Sequence, residues 1–117
     1  MSTDQELQDL EDNINDAKHF IDIKESTIKL FKNKEFKKVV LEYYFKEEAA
    51  RLVMAKATSL TTEQQLLIDN MIYGIGALSN FFDSVLTRGM QAEQALRDDE
   101  DARTQILQED LSNGWSK

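Results

Sequence analysis

An all-α protein is predicted by three features of this 117-residue chain: no proline, only four glycines, and apolar residues recurring at alternating three- and four-residue intervals along most of its length. With 31% of residues charged and 41% hydrophobic, the composition is that of amphipathic helices sharing a small core. The length suits one domain. The expected architecture is an antiparallel three-helix bundle, or a helical hairpin with a long third helix, carrying projecting acidic ends. Residues 1–97 would form the helical domain and 98–117 an acidic helical extension and C-terminal tail.

The first helix should start at a capping box of Thr3 and Glu6, in which each side chain satisfies an unpaired backbone donor. Leu7, Leu10, Ile14, Ala17, Ile21, Ile28 and Phe31 then form a heptad-like seam, with Lys24 in its one polar slot. Asn33 is the expected break, because asparagine tolerates the left-handed conformation that ends helices. The second helix is expected to use Phe36, Val40, Tyr43, Ala50, Met54 and Ala57 as its seam, widened by Leu41, Phe45, Ala49 and Leu52. Thr61 and Gln64 form the next capping box and place the third start near Thr62. That helix carries Leu67, Met71, Ile75, Leu78, Phe82, Val85, Ala92 and Leu96 and runs past Gly89. Gly74, Gly76 and Ala77 lower its helix propensity, which suits a close helix crossing or a kink. Ile106, Leu107 and Leu111 recover a short apolar stripe before Asn113 and Gly114 close it.

Charge narrows the functional classes. A formal net charge of −8 opposes general attraction to nucleic acid or anionic lipid, since phosphate binding needs facing positive charge. The chain has no cysteine, which removes disulfides, thiolate metal sites and cysteine nucleophiles. No apolar run approaches the ~20 residues of a membrane span, and the acidic N-terminus lacks a secretion signal. A cytoplasmic setting is expected.

Four patterns hint at chemistry, and each has a simpler account. His19 has Asp16 and Asp22 three residues to either side, as a metal site could, but no second histidine exists and a solvated face suffices. Glu47, Glu48 and Arg51 pair at helical spacing, worth about 0.2–0.5 kcal/mol per pair, without a neighbouring nucleophile. Gly74-Ile75-Gly76 lacks the strand a dinucleotide fingerprint requires. Asp98, Asp99, Glu100 and Asp101 are consecutive, whereas calcium loops alternate ligands around a glycine. No catalytic residue, metal or other cofactor is expected, and the chain reads as non-enzymatic.

Its binding residues should instead be Lys29, Lys32, Lys34, Lys37 and Lys38, gathered about the first connection, and Ile106, Leu107, Leu111 and Trp115 near the end. The lysines would offer a positive tip to an acidic surface, although keeping a turn soluble is a sufficient account of them. Heptad seams of this length also invite a homo-oligomer.

The runs Lys34 to Glu42, Tyr44-Phe45 and Glu47 to Val53 resemble a family of small acidic helical proteins of tailed bacteriophages, as do Ile75 to Leu78 and Gly89 to Leu96. Members of that family are uncharacterised products encoded near virion genes. The resemblance implies a phage structural or assembly protein that contacts virion proteins or itself, in the host cytoplasm or the virion. The alternative is an early phage inhibitor that binds a host enzyme or defence protein.

Overall fold

A computed structural model describes residues 2–115, and side chains within 3–113. Helix α1 spans Ser2–Lys32, α2 Lys34–Phe36, a π-helix Lys37–Glu48, α3 Ala49–Ala55 and α4 Thr62–Trp115. No strand occurs among the described residues, as an all-α chain requires. The chain divides into two compact units: residues 1–25 with 86–117, and residues 26–85.

In the first unit, the beginning of α1 packs against the later part of α4. The helices are antiparallel: Glu11 pairs with Arg103 at 2.6 Å and Lys24 with Glu93, so partners advance along one helix as they recede along the other. Ile14, Ala17 and Ala92 are buried. The expected α1 seam is recovered, since Leu7, Leu10, Ile14, Ala17 and Ile21 are all less exposed than the residues between them, apart from half-buried Glu11. Lys24 fills its polar slot by reaching Glu93. Helix α1 already includes Ser2, so its start lies ahead of the expected Thr3 cap.

Gly89, and not Gly74 or Gly76, marks the close approach. A Cβ at Gly89 would fall within 3.0 Å of Lys24 Cβ, Cγ and Cδ, whereas one at Gly74 would lie 3.8 Å from the Tyr44 hydroxyl and one at Gly76 would meet nothing within 4 Å. Small size is needed where two helix axes converge, and that happens opposite the seam lysine.

The second unit joins the end of α1, the middle segment and the beginning of α4. Phe82 is its hub, with the rings of Phe31, Phe36 and Phe45 edge-on at 5.2, 5.8 and 6.4 Å, while Phe31 and Phe36 stack at 5.9 Å. Leu52 and Ile75 are buried. Asn33 breaks the chain where expected but for another reason: its backbone is extended, with φ −68° and ψ 127°, and its Oδ1 accepts the Phe36 N–H at 2.9 Å. It is an N-cap, not a left-handed terminator.

The middle segment departs most from expectation. Tyr43, Ala50, Met54 and Ala57 of the expected seam are exposed, and the inward face is Val40, Leu41, Tyr44, Phe45, Glu48, Ala49 and Leu52. These recur every four residues because hydrogen bonds from i to i+5 across Lys37–Glu48 widen the turn beyond 3.6 residues. The segment's wider winding therefore turns Tyr43 outward and brings Tyr44 in.

Helix α4 begins with the expected reciprocal cap. Thr61 Oγ1 accepts the Gln64 N–H at 3.1 Å, and Gln64 Oε1 accepts the Thr61 N–H at 2.9 Å. Its seam is inward from Ile75, but Leu67 and Met71 are exposed and Ile68 and Ile72 turn in instead. The helix continues through Asn113 and Gly114, which were expected to end it. Among the described residues no helix is long and apolar enough to cross a membrane.

Candidate association surfaces

Lys29, Lys32, Lys34, Lys37 and Lys38 are all exposed, on the last turn of α1, on α2 and on the first turn of the π-helix. The N-cap at Asn33 sets these elements side by side along the chain. None of the five takes part in an ion pair among the described residues. They form an uncommitted positive group.

The apolar residues near the end of α4 differ in exposure. Ile106 is half-buried, while Leu107 and Leu111 are 46% and 63% exposed. The side chain of Trp115 lies outside the described residues. Asp98 to Asp101 continue α4, and Asp98 accepts the Gln94 side-chain amide at 3.0 Å.

A third surface lies mostly outside the residues that the sequence pattern singles out. On α4 within the second unit, Leu66, Leu67, Tyr73 and Phe81 are 61%, 61%, 77% and 58% exposed. From Gln64 to Phe82 the only charged residue is Asp69, and it pairs with Lys56 at 2.7 Å. The available signal was this gap in charge, within a chain whose charged share is 31%.

Two grooves carry no sequence signal of their own. In the first unit Ala17, Phe20, Ala92 and Ala95, with Asp16, Arg88 and Asp99, line a shallow open groove of about 580 Å³. In the second, Val39 and Tyr43 are 58% and 53% exposed beside Lys38, Glu42 and Glu47, which line a depression of about 340 Å³. Both lie open to solvent.

The polar patterns resolve into pairings. Arg51 donates from Nη2 to Glu48 Oε1 and from Nε to Oε2 at 3.3 Å. This hydrogen bond holds the Glu48 carboxyl below the usual carboxylate range, against the cost of desolvation and with added charge attraction, and it raises Arg51 in turn. His19 is exposed beside Phe20, with ring centroids 5.5 Å apart. Among the described residues no three His, Cys, Asp or Glu side chains converge as metal ligands.

Fold and surface thus define an all-α protein with large apolar and charged faces open to solvent. The family model of the 3-Ketosteroid 9alpha-hydroxylase C-terminal domain matches residues 2–97, most of the chain. The chain belongs to that family. This corrects the expected membership of a phage family, because the matched residues include every run on which that resemblance stood. No curated protein and no solved structure matches the chain. A hydroxylase needs a redox centre to activate oxygen; with one histidine, no cysteine and no converging ligand set among the described residues, these side chains do not fit a metal centre of their own.

Proposed function

We propose that this chain is a non-enzymatic helical association module, acting through contacts with other proteins and with itself. The supporting observation is the balance of its surface. Among the described residues fifteen large hydrophobic side chains are exposed and five hydrophobic residues are buried. Apolar surface on this scale, rimmed by charge, is typical of interaction sites.

Charge gives the faces different partners. Residues 26–85 hold eight basic and seven acidic residues, net +1, while the remainder holds six basic and fifteen acidic, net −9. The lysine group suits an acidic protein surface, and the uncharged face of α4 suits an apolar helix. A photoreactive residue at Lys34, Lys38 or Leu107 tests this in cells. Discrete adducts with one protein species are expected, lost when the lysines among Lys34, Lys37 and Lys38 that do not carry the probe are changed to Glu. Absence of adducts from all three positions overturns the reading.

The family supports a second reading, in which the groove of Ala17, Phe20, Ala92 and Ala95 contacts a flat apolar ligand such as a 3-ketosteroid. Its apolar floor fits such a surface, and Arg88 offers a donor to a ketone oxygen. Calorimetric titration with a 3-ketosteroid tests it. Saturable binding lost in Phe20→Glu supports the contact, and no saturation up to the ligand's solubility removes it.

A further inference from the structure

We infer that the outer face of α4 in the second unit binds a second copy of this chain as an antiparallel helix pair. Leu66, Asn70, Tyr73, Ala77, Asn80 and Ser84 are spaced four, three, four, three and four residues apart, the interval that keeps side chains on one helical stripe. All six are exposed. Buried Ile75 points to the opposite side. The stripe carries no charge over five turns, which isolated exposed apolar residues do not explain.

The choice of a second copy follows from the order of residues along the stripe. Set two such helices antiparallel, with the twofold axis level with Ile75, and Tyr73 falls opposite Ala77, Asn70 opposite Asn80 and Leu66 opposite Ser84. Large side chains meet small ones. Each carboxamide meets another, and an amide pair satisfies donor and acceptor together. The twofold repeats every contact. An Asn at a seam position costs stability but fixes register and orientation, because any slip leaves it facing an apolar side chain.

Two further observations agree. Gly76 is exposed and a Cβ there would meet nothing, so no intrachain contact accounts for a residue costing about 1 kcal/mol in a helix interior; close approach of another helix near the axis does. Charge sets the direction. Parallel pairing would set Glu63, Asp69 and Asp83 of one copy level with the same carboxylates of the other, whereas antiparallel pairing sets Asp69 level with Phe81 and Asp83 level with Leu67.

Size is sufficient. With aromatic side chains covering about 150–250 Å² each, the exposed parts of Tyr73 and Leu66 together with Phe81, which flanks the stripe beside Asn80, give roughly 400 Å², and the four small or polar members bring each copy near the ~600 Å² of the smaller specific interfaces.

This inference rests on the association-module reading, and its test separates the two. Sedimentation of the full chain from micromolar to hundreds of micromolar should show a monomer–dimer equilibrium. Ala77→Arg should weaken it at least tenfold while helicity by circular dichroism and the thermal midpoint stay unchanged, because Ala77 touches solvent in the single chain. The absence of native cysteine permits a directional test. Asn70→Cys mixed with Asn80→Cys should form a disulfide on mild oxidation, and neither variant alone should, since two copies of residue 70 would lie about 15 Å apart along the axis, too far for the ~7 Å limit between bridged Cα atoms. A monomer at every concentration, or a disulfide within either variant alone, overturns the antiparallel seam. If the chain is monomeric yet still gives a discrete adduct from Lys34 or Leu107, the seam falls and the module reading stands.

Discussion

At Gly89 a missing Cβ sets how closely α4 approaches Lys24. Gly89→Ala removes a residue that costs helix propensity, so an open site would gain about 1 kcal/mol. Here the added carbon would overlap Lys24 Cβ as well as its flexible outer carbons, and overpacking of this kind costs about 1–3 kcal/mol. The net expectation is destabilisation in urea melts. Lys24→Ala should not rescue it, because the conflicting Cβ remains, whereas Lys24→Gly should recover part of the loss. Rescue by alanine would mean that only the outer carbons matter. Glu48 offers a second test. Its carboxyl is held below the usual range by the Arg51 hydrogen bond, so its contribution is present above the ordinary carboxylate pKa and disappears as pH falls through Glu48's own lower value. Thermal midpoints of the protein and of Glu48→Gln should therefore converge below about pH 4. A gap that stays constant to pH 2 would exclude the ion pair as its source.

At the scale of elements, hydrogen-bonding residues and periodicity were legible to different degrees. Thr61 and Gln64 announce the start of α4 because the reciprocal cap is local: both partners lie within one turn. The α1 seam was readable because α1 is regular, so one period serves all its length. The middle segment was not, since Lys37–Glu48 winds more widely, and sequence gives no sign of that winding before the period is assumed. Tyr43 and Tyr44 consequently exchange places. Gly89 escaped for a related reason: its need depends on Lys24, 65 positions away in the chain. The lysine group was legible as composition, while the outer stripe of α4 was hidden behind the inner one, whose larger apolar residues dominate any periodicity. Phe82 tests the element packing directly. Phe82→Ala removes the ring common to three edge contacts and should cost about 3 kcal/mol, the low end for buried phenylalanine because the ring is only half-buried. Phe81→Ala, at its exposed neighbour, should cost far less. Equal losses would show that the hub is wrongly placed.

Across the whole molecule, charge is distributed unevenly between the two units, −9 against +1. Among the described residues two pairings offset the first unit's repulsion: Lys24 with Glu93, and Arg103 with Glu11, the latter with side chains 34% and 46% exposed. Exposed pairs of that kind contribute about 0–1 kcal/mol. Fifteen acidic residues face only six basic ones there, so repulsion among unpaired carboxylates outweighs the pairs. Salt reduces the Debye length to ~10 Å at 0.1 M and ~3 Å at 1 M, and it should weaken this long-range repulsion more than it weakens contacts within 3 Å. Stability of the first unit should therefore rise between low salt and about 0.3 M, read as slower amide hydrogen exchange in residues 3–25 and 86–113. Residues 26–85, close to neutral, should change little. Faster exchange in the first unit as salt is added would mean that Lys24, Arg103 and their partners, and not the unpaired carboxylates, govern its electrostatics.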